Sequence, residues 1–160
     1  MTYHFTLERD LPAPPSAVYD AWLDSGAHSA MTGGEARIEK RVGGTHTASD
    51  GYVSGKTLEL TPGERIVQSW RTTRFTPADA DSTITIQFAP IKAGTRLTLS
   101  HKGVPDGHTS YEKGGWRDFY FEPMKAYFKR LKWESSPAKK DALGTGAAQP
   151  AESRRERRGR

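Results

Sequence analysis

YEKGGWRDFYFEPMKAYFKRLKW, residues 111–133, is the longest stretch of the chain with helical periodicity. Its large apolar residues recur at spacings of three and four, which places them on one face of a helix. Pro123 lies inside the stretch, where it removes a backbone donor and crowds the preceding turn, so we expect a kink near it. A kinked helix packs imperfectly, and we expect a cavity in that seam. The residues of the apolar face are Trp116, Tyr120, Met124, Tyr127 and Leu131.

The chain before this helix begins with a predicted strand and two short helices. Tyr3, Phe5 and Leu7 alternate with polar residues, which is the period of a strand with one buried face. The segment 13–23 has prolines at its entry and predicts a short helix, and a second one is expected around residues 25–31.

From residue 35 to residue 101, extended runs alternate with turn sequences such as Asp50-Gly51, which predicts successive hairpins. Within these runs one set of apolar residues falls on the same face of the sheet, which we expect to be buried, and His101 falls on that face too. The fold class is therefore α+β: about six or seven antiparallel strands, two short helices after the first strand, and one long C-terminal helix. The inward residues are Ile38, Leu58, Leu60, Ile66, Trp70, Ile84, Ile86, Phe88, Leu97 and Leu99.

Composition separates one domain from a tail. The 160 residues suit a single domain, which we place at residues 1–133. Residues 134–160 are poor in large apolar side chains and carry seven basic and four acidic residues, so we expect a disordered basic tail. That tail supplies much of the formal charge of +5, and we expect no specific nucleic-acid partner.

Several kinds of chemistry lack support in the sequence. The chain has no cysteine, no predicted membrane span and no predicted signal peptide, so we expect a cytoplasmic protein. The histidines are not spaced as a metal site, and the glycine pairs lack the pattern of a nucleotide-binding loop. We expect neither a metal nor another cofactor.

The order of many weak motifs resembles a known family. Those motifs are Gly43-Gly44, Asp50-Gly51, ERIVQSW at 64–70, STITIQF at 82–88, TRLTLSHKGVP at 95–105 and GGW at 114–116. Together they resemble the activator homologues of heat-shock-protein ATPase, a family of the START-like, or SRPBCC, superfamily. The resemblance covers residues 3–131 and implies a helix-grip fold, in which the sheet wraps the long helix around a deep, mostly apolar cavity. It also implies a chaperone or other protein partner and a role in the stress response.

Three functions remain open at this point. The first is non-catalytic binding of a small hydrophobic or aromatic molecule in the cavity by a monomer or homodimer. The second is a cyclase-like or aromatase-like enzyme, in which His101 and a tyrosine would move protons. The third is a co-chaperone that uses the outer sheet face. We expect the cavity to be lined by Phe5, Trp22, Met31, Trp70, Ile84, Ile86, Leu99, His101, Trp116, Tyr120 and Met124, with Tyr111 as a further candidate.

Overall fold

The computed structural model describes residues 2–131; the predicted tail and Trp133 lie outside the described residues. Seven strands and two short helices precede the C-terminal helical segment. The strands are β1 (Thr2–Leu11), β2 (Arg37–Ile38), β3 (Thr45–Ala48), β4 (Val53–Thr61), β5 (Arg65–Thr72), β6 (Ser82–Ile91) and β7 (Gly94–Pro105). The helical elements are α1 (Pro15–Leu23), α2 (Ser25–Thr32) and α3 (Glu122–Leu131). Two π-helical turns, called the wide turns below, precede α3 at Tyr111–Gly115 and Arg117–Phe121.

The seven strands form one antiparallel sheet in the order β1-β7-β6-β5-β4-β3-β2. The first strand lies beside the last because β1 pairs with β7, while the others follow as a meander. Alternation along β6 and β7 puts Ile84 opposite His101 and Ile86 opposite Leu99, and all four are fully buried. The predicted α+β architecture is therefore confirmed, including the inward direction of His101.

A bulge in β4 corrects one predicted core residue. Leu58 was expected to share the buried face with Leu60, but its side chain is 49% exposed. The pairing of β4 with β5 shifts register between Thr57 and Glu59, so a residue is inserted and the alternation of faces breaks there. Thr57 occupies the buried face in its place.

The irregular part of the C-terminal segment precedes Pro123. In the two wide turns the backbone bonds to the fifth residue back: the Trp116 N–H donates to Tyr111 O, and the Glu122 N–H donates to Arg117 O. Pro123 is the second residue of α3 and follows the second wide turn directly, so its missing backbone donor falls where the hydrogen-bond pattern changes from the wide turn to the α-helix. The departure from α-helical geometry therefore lies upstream of the position that the sequence indicated.

The helices cover one face of the sheet. Helix α1 packs on β6 and β7, and α3 packs on α2 and β1. Asp24 joins the two short helices, since its carboxylate caps α2 by accepting from the Ala27 N–H at 2.8 Å. The core between these layers contains Trp22 from α1, Trp70 from β5 and Trp116 from the wide turns, each at most 5% exposed.

Candidate binding cleft

An open cleft of about 600 Å³ lies between the wide turns and the sheet end formed by β4 and β5. Most of its wall is apolar or aromatic, and it is open to solvent on one side. The lining residues are Ser49, Tyr52, Val53, Trp70, Ser110, Tyr111, Lys113, Gly114, Gly115, Trp116, Asp118, Phe119 and Tyr120. Its volume falls within the range of small-molecule sites.

The wide turns decide which side chains face the cleft. Gly114 has a φ of 151°, a conformation that side chains rarely adopt, and this allows the backbone to pass between the two turns. Trp116 and Tyr120 are consequently buried against the core, whereas Phe119 is 69% exposed at the rim. A regular helix would have distributed these aromatic residues differently, because its turns are tighter.

Aromatic rings form the floor of the cleft. The Trp70 ring centroid lies 5.4 Å from that of Trp116 and 5.2 Å from that of Tyr111. Trp116 in turn lies 5.0 Å from Tyr120. Such tilted and edge-to-face contacts stabilise aromatic clusters beyond simple burial. The floor is thus a rigid apolar surface rather than a set of loose side chains.

His101 lies behind this floor with both ring nitrogens engaged. Ser82 Oγ donates to the Trp70 carbonyl at 2.6 Å, so it accepts from His101 Nε2 at 2.9 Å. The Trp116 Nε1–H donates to His101 Nδ1 at 3.2 Å. His101 is therefore the neutral tautomer with its proton on Nε2, and burial lowers its pKa from 6.5 to about 3.

A second buried histidine, His28, was not among the predicted site residues. Its Nδ1–H donates to the Trp22 carbonyl at 2.8 Å, which leaves Nε2 to accept from the Tyr120 hydroxyl at 3.0 Å. Burial lowers the pKa of His28 from 6.5 to about 4 and raises that of Tyr120. The polar tip of a cleft residue is thus directed into the core. Tyr120 and His28 are 92 residues apart, so no local pattern indicates this contact.

Two further hydrogen bonds complete the interior. The Trp22 Nε1–H donates to Gln68 Oε1 at 3.2 Å, and Gln68 Nε2–H donates to Thr57 Oγ1 at 3.2 Å. All three side chains are buried, so each polar group has the partner that burial requires. This chain of bonds connects α1, β5 and the bulged strand β4.

The predicted cavity residues divide into two groups. Trp70, Trp116 and Tyr120 line the cleft, and Tyr111 joins them there. Deeper inside, around Trp22, aromatic, aliphatic and polar side chains leave a space of about 10 Å³. The predicted residues that pack in or against the core instead of lining the cleft are Phe5, Trp22, Met31, Ile84, Ile86, Leu99, His101 and Met124.

The hydroxyl of Tyr111, like that of Tyr120, is occupied by hydrogen bonds. Tyr111 Oη lies 2.9 Å from Thr72 Oγ1 and 3.2 Å from His108 Nδ1, and burial raises the pKa of this phenol.

Within residues 2–131 no group of three His, Cys, Asp or Glu side chains could hold a metal ion. In the same range no helix is long and apolar enough to cross a membrane.

A sheet that grips a C-terminal helical segment, with an apolar cleft beside it, defines a START-like helix-grip domain. The family model described as "Activator of Hsp90 ATPase homolog 1-like protein" matches residues 12–129, so the chain belongs to this family. The human Activator of 90 kDa heat shock protein ATPase homolog 1 is 30% identical over 127 residues, which are 79% of this chain and 37% of the human protein. A Dictyostelium discoideum activator homologue is 25% identical over 123 residues, 76% of this chain and 32% of that protein. The chain thus spans about a third of the length of these relatives.

Solved structures share the fold. An HSP90 activator from Plasmodium falciparum has a TM-score of 0.73 at 24% identity, covering 79% of this chain and 96% of that chain. A Chromobacterium violaceum protein has a TM-score of 0.64 at 28% identity, with 84% and 99% of the two chains covered. The helix-grip architecture implied by the sequence motifs is therefore confirmed.

Proposed function

We propose that this domain binds a small hydrophobic or aromatic molecule in the cleft and does not transform it. The observation that carries the proposal is the character of the cleft wall. Trp70, Trp116 and Tyr120 form its apolar floor, while the polar tips of Trp116 and Tyr120 bond to buried histidines. A ligand therefore meets apolar surface with few competing polar groups, which favours recognition by burial.

The size of the cleft supports a modest affinity. A ligand that covers ~200 Å² of apolar surface gains about 5 kcal/mol at ~25 cal/mol per Å², before the entropy of association is subtracted. Phe119 adds to this gain because its ring is 69% exposed in the empty cleft and can be covered by a ligand. The stacked floor is already ordered, so little side-chain freedom is lost on binding.

The state of His101 argues against proton transfer in the cleft. Its Nδ1 lone pair accepts from Trp116, and its Nε2–H donates to Ser82, so neither nitrogen is open to a ligand. The hydroxyl of Tyr120 donates to His28 in the same way. A general base needs a free lone pair within hydrogen-bond reach of the substrate. Binding without turnover is therefore the better account of these groups than a cyclase-like enzyme.

The experiment is a thermal-shift and tryptophan-fluorescence screen of lipids, polyketides and aromatic compounds. A ligand of this site should raise the melting temperature and change the emission of Trp70 and Trp116. Phe119→Ala should weaken binding several-fold without loss of stability, because the side chain is exposed. Leu58→Ala is the matched control, since Leu58 is also exposed but does not line the cleft. Failure of every compound in the panel would contradict the proposal.

We further propose association with a 90 kDa heat-shock chaperone. Its support is the similarity to proteins whose names describe activation of that chaperone's ATPase, including the Plasmodium falciparum structure, of which the chain covers 96%. The exposed outer sheet face, with Arg96 on β7, is a surface for it that is separate from the cleft.

Titration of the purified chaperone with this protein tests the association directly. We expect saturable binding that Arg96→Glu weakens and Phe119→Ala leaves unchanged. Absence of both binding and ATPase stimulation at micromolar concentrations would remove this second function. Loss of binding in Phe119→Ala alone would instead move the partner surface to the cleft.

A further inference from the structure

Three polar side chains of the cleft lack an internal partner. Ser49 and Ser110 line the cleft, and neither hydroxyl makes a hydrogen bond within residues 2–131. Lys113 lines the same cleft at an exposed position, and its ammonium forms no ion pair with a described residue. This contrasts with Trp116, Tyr111 and Tyr120, whose polar atoms all have partners.

Neither of the carboxylates near Lys113 along the chain forms an ion pair with its ammonium. Asp118 lines the cleft but accepts from Arg117 Nε at 2.9 Å, so its charge is compensated on the exposed side. Glu112 is adjacent to Lys113 in sequence, but its carboxylate lies near Tyr3 on β1, and its Oε1 is buried without a hydrogen-bond partner among the described residues. The cleft therefore combines apolar walls with a lysine ammonium that forms no ion pair with a described carboxylate.

We propose, on the basis of the binding function above, that the ligand is an amphipathic carboxylate. Its aromatic or aliphatic body would lie on Trp70 and Trp116, and its carboxylate would pair with Lys113 at the rim. The hydroxyls of Ser49 and Ser110 supply neutral donors on the same cleft. A single ammonium matches one negative charge, which favours a carboxylate over a phosphate group with its higher charge.

Lys113 is thus a specificity-determining residue rather than a source of bulk affinity. An exposed ion pair adds little binding free energy, and salt screens it. Burial of the apolar body therefore supplies most of the affinity, while the charge discriminates between a carboxylate and its neutral analogue. We expect a preference of about two- to five-fold at low ionic strength.

The experiment compares matched acid and amide probes by isothermal titration. The aromatic pair is 2-naphthoate with 2-naphthamide, and the aliphatic pair is decanoate with decanamide. The wild-type protein should prefer the acid of at least one pair, and the preference should shrink in 0.5 M salt. Lys113→Met should abolish it and Lys113→Glu should reverse it. Lys92→Met is the matched control, because Lys92 is an exposed lysine in the turn between β6 and β7 that does not line the cleft.

The outcomes separate this inference from the function on which it rests. A preference for an acid that depends on Lys113 supports the carboxylate ligand. The pair that shows the preference then tells whether the apolar body of the ligand is aromatic or aliphatic. Equal binding of acid and amide, or a preference that survives in Lys113→Met, overturns the carboxylate while the binding function stands. Binding of none of the four probes overturns both.

Discussion

Acidification should destabilise this protein through its buried histidines. His28 and His101 are held neutral in the folded state, with pKa values lowered by burial from 6.5 to about 4 and about 3. In the unfolded chain both take up a proton near pH 6.5. Stability is therefore complete above about pH 6.5 and is lost as the pH falls toward the folded-state pKa values.

The expected loss follows from linkage. At pH 5 each unfolded imidazole is mostly protonated while each folded one is mostly neutral, which costs about 2 kcal/mol per histidine, or about 4 kcal/mol for the pair. Burial also lowers the pKa of His46, which adds a loss of the same sign. A domain of this size has only about 5–15 kcal/mol of stability, so the effect is large.

Urea denaturation at pH 7.5, 6.5, 5.5 and 5.0 measures this loss. His101→Gln should remove about half of it, because an amide can still donate to Ser82 and accept from Trp116 but does not titrate in this range. His4→Gln is the control, since His4 is exposed on β1. A loss below about 1 kcal/mol in the wild type, or an unchanged pH dependence in His101→Gln, would refute the conclusion that burial holds His101 neutral.

Three further substitutions test the packing by urea denaturation. Gly55→Ala should lower the free energy of unfolding by about 3 kcal/mol, because the new Cβ would overlap the Ser69 carbonyl oxygen across the β4–β5 pair. A loss below about 1 kcal/mol would contradict the close contact of these two strands at Gly55. Tyr120→Phe should cost about 1–3 kcal/mol, since it leaves His28 Nε2 buried without a donor, and an unchanged midpoint would mean that the bond is not made. Leu58→Ser should change stability by less than about 0.5 kcal/mol, whereas a large loss would place Leu58 in the core and remove the bulge.

The strands and their faces could be predicted from the sequence because their signals are local. Alternation of period two in β6 and β7 was enough to direct Ile84, Ile86 and Leu99 inward, with His101 in phase. The bulge in β4 escaped the same argument. An inserted residue reverses the alternation without changing composition, so Leu58 was assigned to the wrong face.

The cleft was only partly predictable, because its shape depends on the wide turns. Their bonds to the fifth residue back have no sequence signature, although the Gly114-Gly115 pair lies in the first of them. The aromatic residues near that pair were identified as candidates, and Trp116 and Tyr120 do line the cleft. The deeper residues were assigned to the site because a helix-grip fold implies an internal cavity, which here is packed with side chains.

The partners of the buried polar groups were beyond local reasoning. The spacing of His28 predicts no metal ligation and gives no sign of its bond to Tyr120, which lies far along the chain. A buried histidine whose two nitrogens need partners can be recognised only when the fold brings those partners together. The same holds for Gln68, which connects Trp22 to Thr57.

Native mass spectrometry of the protein purified from its own organism tests the central claim most directly. The account predicts a reproducible non-covalent adduct of one small apolar molecule, retained by Leu58→Ala and weakened in Phe119→Ala. A clean mass of the protein alone, together with no thermal shift against the ligand panel, would contradict the claim that the cleft is a binding site.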